Sequence, residues 1–273
     1  MPRILFIGDI VGRPGRNFVQ QQLAALKADR GIDLVIANAE NSAGGSGVSS
    51  SIAGDLFEAG VDAITLGDHV WGQKGFDAEI DRQERICRPV NLPDGCPGKT
   101  FLIVETNGFR LGIFTLLGHR PMKVEASSSP FPAADKMINE LKRQVDALFV
   151  EIHAETTSEK IALGWYLDGR VAAVVGTHTH VPTADERILP RGTAYITDVG
   201  MTGPYESVLG RSIASVIARF VDGMPRRLPV AENDVRLCGC LVDIHPEKGI
   251  ATSMERICLR QLDLAPESLS DVL

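Results

Sequence analysis

The sequence has little of what marks nucleic-acid-binding or membrane-surface proteins. Aromatic residues make up only 5% of the chain, and 28 Lys and Arg residues face 35 Asp and Glu residues, which gives a formal net charge of −7. This composition provides neither a basic stripe nor a stacking surface, so it argues against stable binding to nucleic acid or to an anionic membrane. A local positive site, such as one made by bound metal ions, is compatible with it.

Long apolar runs and dense cysteines are also missing. The first residues, MPRILFIGDIVGRPGR, hold a short apolar run that Asp9 interrupts, so they predict neither a signal peptide nor a membrane-spanning helix. The 5 cysteines are scattered and odd in number, which argues against a disulfide framework. Cys238 and Cys240 alternate in an apolar run and are interpreted as part of a strand. We therefore expect a cytoplasmic protein that does not bind membranes.

The remaining composition is that of a globular protein. Hydrophobic residues account for 44% of the chain and charged residues for 23%. The sequence contains no internal repeat and no low-complexity linker, so one domain over residues 1–273 is the simplest interpretation. The oligomeric state stays open, since closed homo-oligomers are common.

Short apolar runs alternate with helical patterns. The runs are rich in Val or Ile and predict strands buried on both faces, at residues 3–8, 33–37, 62–66, 147–152 and 171–175. The helical patterns lie at residues 17–30, 50–59, 133–145 and 159–167. Two further regions predict antiparallel hairpins, one around Asn107 and Gly108 and one around residues 246–249. Together these patterns predict an α/β fold in which two mixed sheets pack face to face under flanking helices.

Residues that bind metals or move protons follow the predicted strands. They are Asp9, Glu40, Asn41, Asp68, His69, His153, His178 and His180. Because the ligand site of an open α/β sheet lies at the carboxyl ends of its strands, we expect these residues to gather in one place. This coincidence is more specific than any single motif.

The types of these side chains indicate which metal they bind. Asp9, Glu40, Asn41, Asp68, His153, His178 and His180 mix oxygen with imidazole donors. Seven donors are too many for one tetrahedral zinc ion and suit two borderline cations, such as manganese, iron or zinc, that share a carboxylate. Two such ions bind a phosphate between them and generate hydroxide at neutral pH. The implied reaction is hydrolysis of a phosphate ester.

Three histidines need a closer interpretation. His178 and His180 follow a turn predicted at Gly176, and in an extended segment both imidazoles would point the same way, toward one metal centre. His69 lies next to Asp68, where it would stand beside the metals and protonate the leaving alkoxide. A purely structural histidine at position 69 is the alternative.

The motifs GD at residues 8–9, GDH at 67–69 and GTHTH at 176–180 resemble those of the calcineurin-type metallophosphoesterases. The YmdB-like branch of bacterial phosphodiesterases is closer still. It shares FIGDIVGRPGR, the AEN segment at 39–41, HAETTSEKIALGWYLDGR at 153–170 and the segment from VVGTHTH to ESVLG at 174–210. This resemblance covers essentially the whole chain and implies a four-layer α/β/β/α sandwich.

The resemblance also implies roles for individual residues. One metal would be held by Asp9, Glu40, Asn41 and His180, and the other by Glu40, Asp68, His153 and His178, with Glu40 bridging. His69 would be the proton donor. Iron or manganese is the implied metal, and cyclic nucleotides with a 2',3'- or 3',5'-phosphodiester are the implied substrates.

Two positions depart from the patterns of these families. The wider superfamily places a histidine two residues after the first aspartate, where this chain has Val11, and the YmdB-like branch shares this absence, with Asn41 in its place. The YmdB-like branch usually has asparagine where this chain has Asp68. The added negative charge is expected to bind metals more tightly, to lower their Lewis acidity, to repel anionic phosphate and to favour a more oxidised iron.

Two other functions compete with a phosphodiesterase. A phosphomonoesterase would use the same metal centre but needs extra cations for the second phosphate charge, and the sequence shows no basic cluster near the ligands. A regulatory protein that binds a nucleotide or a protein partner with little turnover is favoured by Asp68, because a damped metal centre binds more than it cleaves. The complete ligand set and His69 favour the enzyme.

Overall fold

Strands and helices alternate along the chain, of which the computed structural model describes residues 1–119 and 122–264. The α-helices are α1 (Gly12–Arg30), α2 (Ser50–Glu58), α3 (Pro130–Leu141), α4 (Thr157–Leu167) and α5 (Ile213–Asp222). The strands are β1 (Arg3–Ile7), β2 (Leu34–Asn38), β3 (Ala63–Thr65), β4 (Ile86–Cys87), β5 (Leu102–Thr106), β6 (Phe109–Leu117), β7 (Ala147–His153), β8 (Ala173–Thr177), β9 (Arg187–Ile188), β10 (Ala194–Ile196), β11 (Gly203–Pro204), β12 (Val235–Ile244) and β13 (Ala251–Arg260). Within the described part, no helix combines the length and the apolar character needed to cross a bilayer.

The strands form two mixed sheets. The first has the order β11-β12-β1-β2-β3-β4, with β13 paired to β12, and the second has the order β5-β6-β7-β8-β10-β9. Strands β1 to β4 run parallel to one another, as do β6, β7, β8 and β10, while β12, β5 and β9 pair antiparallel with β1, β6 and β10. The two predicted hairpins are confirmed as β5–β6 and β12–β13.

The sheets pack face to face and are covered by helices on their outer faces. Between the sheets, Phe6 of β1 stacks on Phe149 of β7 with 5.6 Å between ring centroids. Helices α1 and α2 bury their apolar faces on the outer side of the first sheet, and α3 and α4 do the same on the second. The predicted four-layer α/β/β/α sandwich is therefore confirmed.

Helix boundaries were predicted less well than helix positions. Helix α1 begins at Gly12 rather than at residue 17, because Pro14 lies in its first turn, where a backbone N–H has no helical acceptor. Helix α3 begins at Pro130 rather than at residue 133, and the Ser129 hydroxyl caps it by accepting a hydrogen bond from the N–H of Phe131. Helix α5 was not predicted.

The predicted apolar strands all form, as β1, β2, β3, β7 and β8, but the turn predicted at Gly176 is wrong. Gly176 lies inside β8, opposite Ile152 of β7. A Cβ atom at this position would overlap the carbonyl oxygen of Thr197. The glycine therefore allows a close approach of two chain segments and does not serve to turn the backbone.

Candidate metal centre

The predicted ligands lie at the carboxyl ends of parallel strands from both sheets. Asp9 follows β1, Glu40 and Asn41 follow β2, Asp68 and His69 follow β3, His153 ends β7, and His178 and His180 follow β8. Because both sheets present these ends at one edge, the side chains gather at a common cavity of about 310 Å³. Five of them line its wall: Glu40, Asn41, His69, His178 and His180. The remaining three are buried.

One group of four side chains has the arrangement of a metal site. The candidate ligand atoms of Glu40, Asp68, His153 and His178 all lie within 4.8 Å of one another. His153 Nε2 is 3.1 Å from Glu40 Oε1 and 3.2 Å from Asp68 Oδ1. His178 Nδ1 is 3.5 Å from Asp68 Oδ1. Two carboxylates and two imidazoles at this spacing are a donor set for a borderline divalent cation.

A second group lies on the other side of Glu40. Asn41 Nδ2 is 3.1 Å from Glu40 Oε1 and 3.2 Å from His180 Nε2. His180 Nε2 is 3.8 Å from Asp9 Oδ1. That Asp9 oxygen is buried and has no hydrogen-bond partner among the described residues, although Oδ2 accepts a hydrogen bond from the N–H of His178. An orphaned, buried carboxylate oxygen facing an imidazole fits a cation position.

The outward nitrogen of each of the three histidines is held by a second group. His153 Nδ1 lies 2.8 Å from Thr177 Oγ1, and His178 Nε2 lies 3.1 Å from Glu155 Oε2. His180 Nδ1 lies 3.2 Å from the carbonyl oxygen of Leu209. Such contacts fix the tautomer and ring orientation of a metal-binding histidine, leaving the other nitrogen free to bind the metal. The residues present therefore fit a metal centre.

The segment that carries His178 and His180 is not extended, contrary to the prediction. The φ angles are 90° at His178 and 65° at His180, both in the left-handed region that costs a non-glycine residue energy. The two imidazoles consequently reach different halves of the site. Asp198 holds the turn between them by accepting hydrogen bonds from the N–H and the hydroxyl of Thr179, and the buried Lys160 pairs with Asp198 at 2.8 Å.

A buried glutamate connects the two sheets beneath the ligands. Glu151 of β7 accepts hydrogen bonds through Oε1 from Asn38 Nδ2 of β2 and from Thr177 Oγ1 of β8, each at 2.6 Å. Asn38 Oδ1 in turn accepts the N–H of Glu40 at 3.0 Å. Since Asn38 belongs to the first sheet and Glu151 to the second, this network ties the backbone at Glu40 to the imidazole of His153.

Asp68 uses its two oxygens differently. Oδ2 accepts a hydrogen bond from the N–H of Lys123 at 2.8 Å, and Oδ1 faces His153 and His178. An asparagine amide offers only one acceptor oxygen, so it could not fill both roles in this backbone. Gly67, directly before it, has no space for a side chain, because a Cβ atom would overlap His153 and the Glu40 carboxylate.

Opposite charges in the cluster shift its pKa values. Burial raises the pKa of Asp9. Burial also acts to raise the pKa of Glu40, but the charge of His153 and hydrogen bonds with His153 and His69 outweigh it and lower the pKa to about 2. For Asp68, burial is likewise outweighed by hydrogen bonds with three histidines, which hold its pKa far below the ordinary value. Burial acts to lower the pKa of His153, but the charge of Glu40 and a hydrogen bond with Asp68 outweigh it and raise the pKa well above 6.5.

His69 lines the cavity with one ring nitrogen engaged. Its Nδ1 is 3.1 Å from Glu40 Oε1 and 3.3 Å from Asp68 Oδ1, and its backbone N–H donates to Glu40 Oε2. Burial lowers the pKa of this imidazole, but the hydrogen bonds with Asp68 and Glu40 are stronger effects together and raise it to about 9. The raised pKa favours the protonated form of His69. Its Nδ1 is engaged by the two carboxylates, and Nε2 is the second ring nitrogen that carries a proton in this form.

Several residues of the site were not predicted from the sequence. Leu209 and Arg211 border the cavity, and the Arg211 guanidinium donates to the carbonyl oxygens of Gly44, Gly45 and Leu228. Leu209 lies in the segment at 174–210 that resembles the YmdB-like branch, but no strand end marks it and no role was assigned to it, and Arg211 lies just outside that segment. Asn38, Glu151 and Thr177 carried a detectable signal, because they are polar side chains on the inward face of otherwise apolar strands.

Comparison with known proteins shows the family of the chain. The model of the family described as YmdB-like protein matches residues 5–257. A Bacillus subtilis protein named 2',3'-cyclic-nucleotide 2'-phosphodiesterase is 46% identical over 257 residues, which cover 94% of this chain and 97% of that protein.

Solved structures extend the comparison to the fold. A structure described as a novel phosphatase from Mycoplasma pneumoniae has a TM-score of 0.89 at 38% identity and covers 95% of this chain and 93% of its own. A 5'-nucleotidase of Candida albicans has a TM-score of 0.54 at 13% identity, covers 94% of this chain and 50% of its own, and shows a likeness of fold alone. On the family match and the identity to the Bacillus subtilis protein, the chain belongs to the YmdB-like family.

Proposed function

We propose that this protein is a dinuclear metal-dependent phosphodiesterase that hydrolyses cyclic nucleotides with a 2',3'- or 3',5'-phosphodiester. The observation that carries the proposal is the convergence of three histidines on the carboxylates of Glu40, Asp9 and Asp68, each histidine held at its outward nitrogen. The name of the Bacillus subtilis relative supports the substrate class.

Glu40 is the carboxylate shared by the two proposed metal sites. One site consists of Asp9, Glu40, Asn41 and His180, and the other of Glu40, Asp68, His153 and His178. The contacts of Glu40 with His153 and with Asn41 support this division. The mixed oxygen and imidazole donors suit iron or manganese, with zinc as the alternative. When bound, such ions polarise phosphoryl oxygens and supply a hydroxide nucleophile at neutral pH.

The chain's own contribution to bond cleavage is the proton from His69. Glu40 and Asp68 orient the ring through Nδ1 and favour its charged form. Nε2 is the nitrogen left to meet the substrate in the cavity that His69 lines. Donation from Nε2 to the departing alkoxide neutralises the charge that develops as the P–O bond breaks.

The charges around the cavity favour a diester over a monoester. Arg211 is the guanidinium on the cavity wall, but three backbone carbonyl oxygens already accept its hydrogen bonds. Glu155, on the same wall, adds negative charge. A phosphomonoester carries a second negative charge, and repulsion between that charge and the carboxylates of the cavity makes its binding less favourable.

Hydrolysis assays test the reaction class directly. Protein loaded with manganese or iron is expected to open 2',3'- and 3',5'-cyclic nucleotides to nucleoside monophosphates, to cleave bis(p-nitrophenyl) phosphate, and to leave p-nitrophenyl phosphate nearly untouched. Asp9→Ala is expected to abolish turnover. Two bound metals without hydrolysis of any ester would overturn the proposal in favour of a regulatory binding protein, and preferred cleavage of the monoester would favour a phosphatase.

Removal of the proton donor gives a second prediction. His69→Gln is expected to lower kcat by about 10²–10⁴-fold, because it loses general acid catalysis, while metal content stays the same. In the wild-type enzyme, kcat falls as pH rises through the pKa of His69. Asp68 and Glu40 raise this pKa to about 9. Because bound cations would share these two carboxylates and weaken their effect, the fall in kcat is expected between pH 6.5, the ordinary value, and about pH 9.

The control for this variant is His245→Gln, a change in the turn of the β12–β13 hairpin outside the cavity. It is expected to keep both kcat and the alkaline limb. An alkaline limb that persists unchanged in His69→Gln would rule out His69 as the proton donor.

The hydroxyl of Thr177 gives a third prediction. Thr177→Val keeps the shape of the side chain but removes the acceptor at His153 Nδ1 and one donor to Glu151. Loss of such a supporting contact is expected to weaken metal binding by about 10–100-fold, as measured by competition with a fluorescent chelator.

A matched control is available in the same sheet. Thr115 of β6 is also buried, and its hydroxyl has no hydrogen-bond partner within residues 1–119 and 122–264. Thr115→Val is therefore expected to leave metal affinity unchanged. Equal affinities for the two valine variants would contradict the role given to Thr177.

Metal binding to chelator-stripped protein gives a fourth prediction. The charge of Glu40 and a hydrogen bond with Asp68 raise the pKa of His153 well above 6.5, so at pH 6.5 the protonated imidazole is favoured, and its proton must leave before Nε2 binds a metal. Binding is expected to release about one proton per site that contains His153. Titration calorimetry in two buffers of different ionisation enthalpy measures this number, and heats that do not depend on the buffer would contradict it.

A further inference from the structure

A pair of cysteines faces each other across the closing hairpin. Cys238 of β12 and Cys258 of β13 are directly opposed in the antiparallel register, and their sulfur atoms are 3.7 Å apart. Directly opposed residues of antiparallel strands have Cα atoms about 4.5–5.5 Å apart. This separation lies within the range that a disulfide spans, about 4.4–6.8 Å. A bridge between these two sulfurs therefore needs no displacement of the strands.

The pair is accompanied by positive charge on the same face of the hairpin. Arg236 and Arg260 are opposed to each other two positions along the two strands, so their side chains share the face of the cysteines. Asp234 partly balances them, at 3.1 Å from Arg236 Nε and 3.9 Å from Arg260 Nε. The hydroxyl of Tyr205 lies 3.1 Å from Cys238 Sγ.

The two thiols are unequal in exposure and in acidity. Cys258 is exposed to solvent and Cys238 is buried. The hydrogen bond from Cys238, together with the charges of Arg236 and Arg260, lowers the pKa of Cys258 to about 6 in spite of partial burial. The same contact with Cys258, and burial, raise the pKa of Cys238. An exposed thiolate beside a protonated thiol is the arrangement of a nucleophilic cysteine and its resolving partner.

We propose that Cys258 and Cys238 form a site of modification by hydrogen peroxide, in which Cys258 is the attacking sulfur and Cys238 the resolving sulfur. The Cys258 thiolate attacks one peroxide oxygen, forming an S–O bond as the O–O bond breaks, and the departing hydroxide takes a proton and leaves as water. Cys238 then attacks the Cys258 sulfur, an S–S bond forms as the S–O bond breaks, and the proton of Cys238 leaves with that oxygen as a second water. The two thiols lose two electrons, and one peroxide is reduced.

The other cysteines provide contrast. Cys87 and Cys240 are buried, and burial raises the pKa of each. Cys96 is half-buried. Neither Cys238 nor Cys258 borders the cavity of the metal centre, so their chemistry can be followed independently of phosphodiester hydrolysis.

The test uses the full-length protein, first reduced and then exposed to equimolar hydrogen peroxide, with catalase and an alkylating reagent added to stop the reaction. When the quenched protein is denatured so that all 5 cysteines are open to the reagent, two of them are expected to resist alkylation. The intact mass of an unalkylated sample is expected to fall by two hydrogen atoms. Proteolytic mapping is expected to find one linked peptide pair, joining Cys238 to Cys258. Reduction with dithiothreitol restores all free thiols.

Variants separate the roles of the two sulfurs. Cys258→Ser is expected to abolish the linked pair, and because this side chain is exposed the variant keeps its fold. Cys238→Ser is expected to stop the reaction at a Cys258 sulfenic acid, which dimedone traps. Cys96→Ser is the matched control and is expected to react as the wild type does. A wild-type protein that gives no linked pair, a pair that includes Cys96, or a linked pair that survives Cys258→Ser would each overturn the proposal.

Discussion

Contact between the two sheets at their carboxyl ends determines the geometry of the whole site. Candidate ligands from β1, β2 and β3 must meet those from β7 and β8 across the gap between the sheets. Below them the gap is filled by apolar side chains such as Phe6 and Phe149, and at the edge it is closed by hydrogen bonds of the buried Glu151 with Asn38 and Thr177. Removing a hydrogen-bond partner from a buried polar group destabilises the fold by about 1–3 kcal/mol, and by more when the group is charged, as a carboxylate is. The sheets are therefore held in one relative position where the ligands are presented.

A second constraint is the strained backbone at His178 and His180. Each left-handed residue of this kind costs about 1–3 kcal/mol. The surrounding contacts offset that cost, because Asp198 binds both the backbone and the hydroxyl of Thr179 and is itself paired with the buried Lys160. Breaking a buried pair by removing one partner costs about 3–5 kcal/mol, which exceeds the strain of either histidine. The turn that directs one imidazole to each half of the site is thus stabilised by groups that touch no ligand.

Much of this arrangement could be predicted from the sequence, for a physical reason. Strands buried on both faces leave short, continuous apolar runs, and the polar residue that follows each run marks the functional edge of the sheet. Asp9, Glu40, Asp68 and His153 were therefore identifiable from their positions alone. The backbone after β8 could not be predicted, because the apolar pattern ends at Thr177 and the left-handed turn depends on Asp198 and Lys160, which lie elsewhere in the chain. Arg211 and Leu209 were missed for the same reason, since tertiary contacts alone bring them to the cavity wall.

The cysteine pair illustrates the same limit at another place in the fold. Alternation around Cys238 predicts a strand, but the identity of the opposed residue depends on the register of the β12–β13 hairpin, which the sequence leaves open. Only the register of the folded hairpin brings Cys258 and the two arginines onto the face of Cys238. The acidity and exposure of Cys258 are consequences of that register.

The central claim is that Glu40 stands between two metal ions held by side chains from both sheets. Anomalous diffraction from crystals of manganese- or iron-loaded protein tests it most directly. Two anomalous peaks about 3.5–4 Å apart are expected, with the Glu40 carboxylate between them. One peak is expected beside Asp9, Asn41 and His180, and the other beside Asp68, His153 and His178. A single peak, or two peaks that do not flank Glu40, would contradict it.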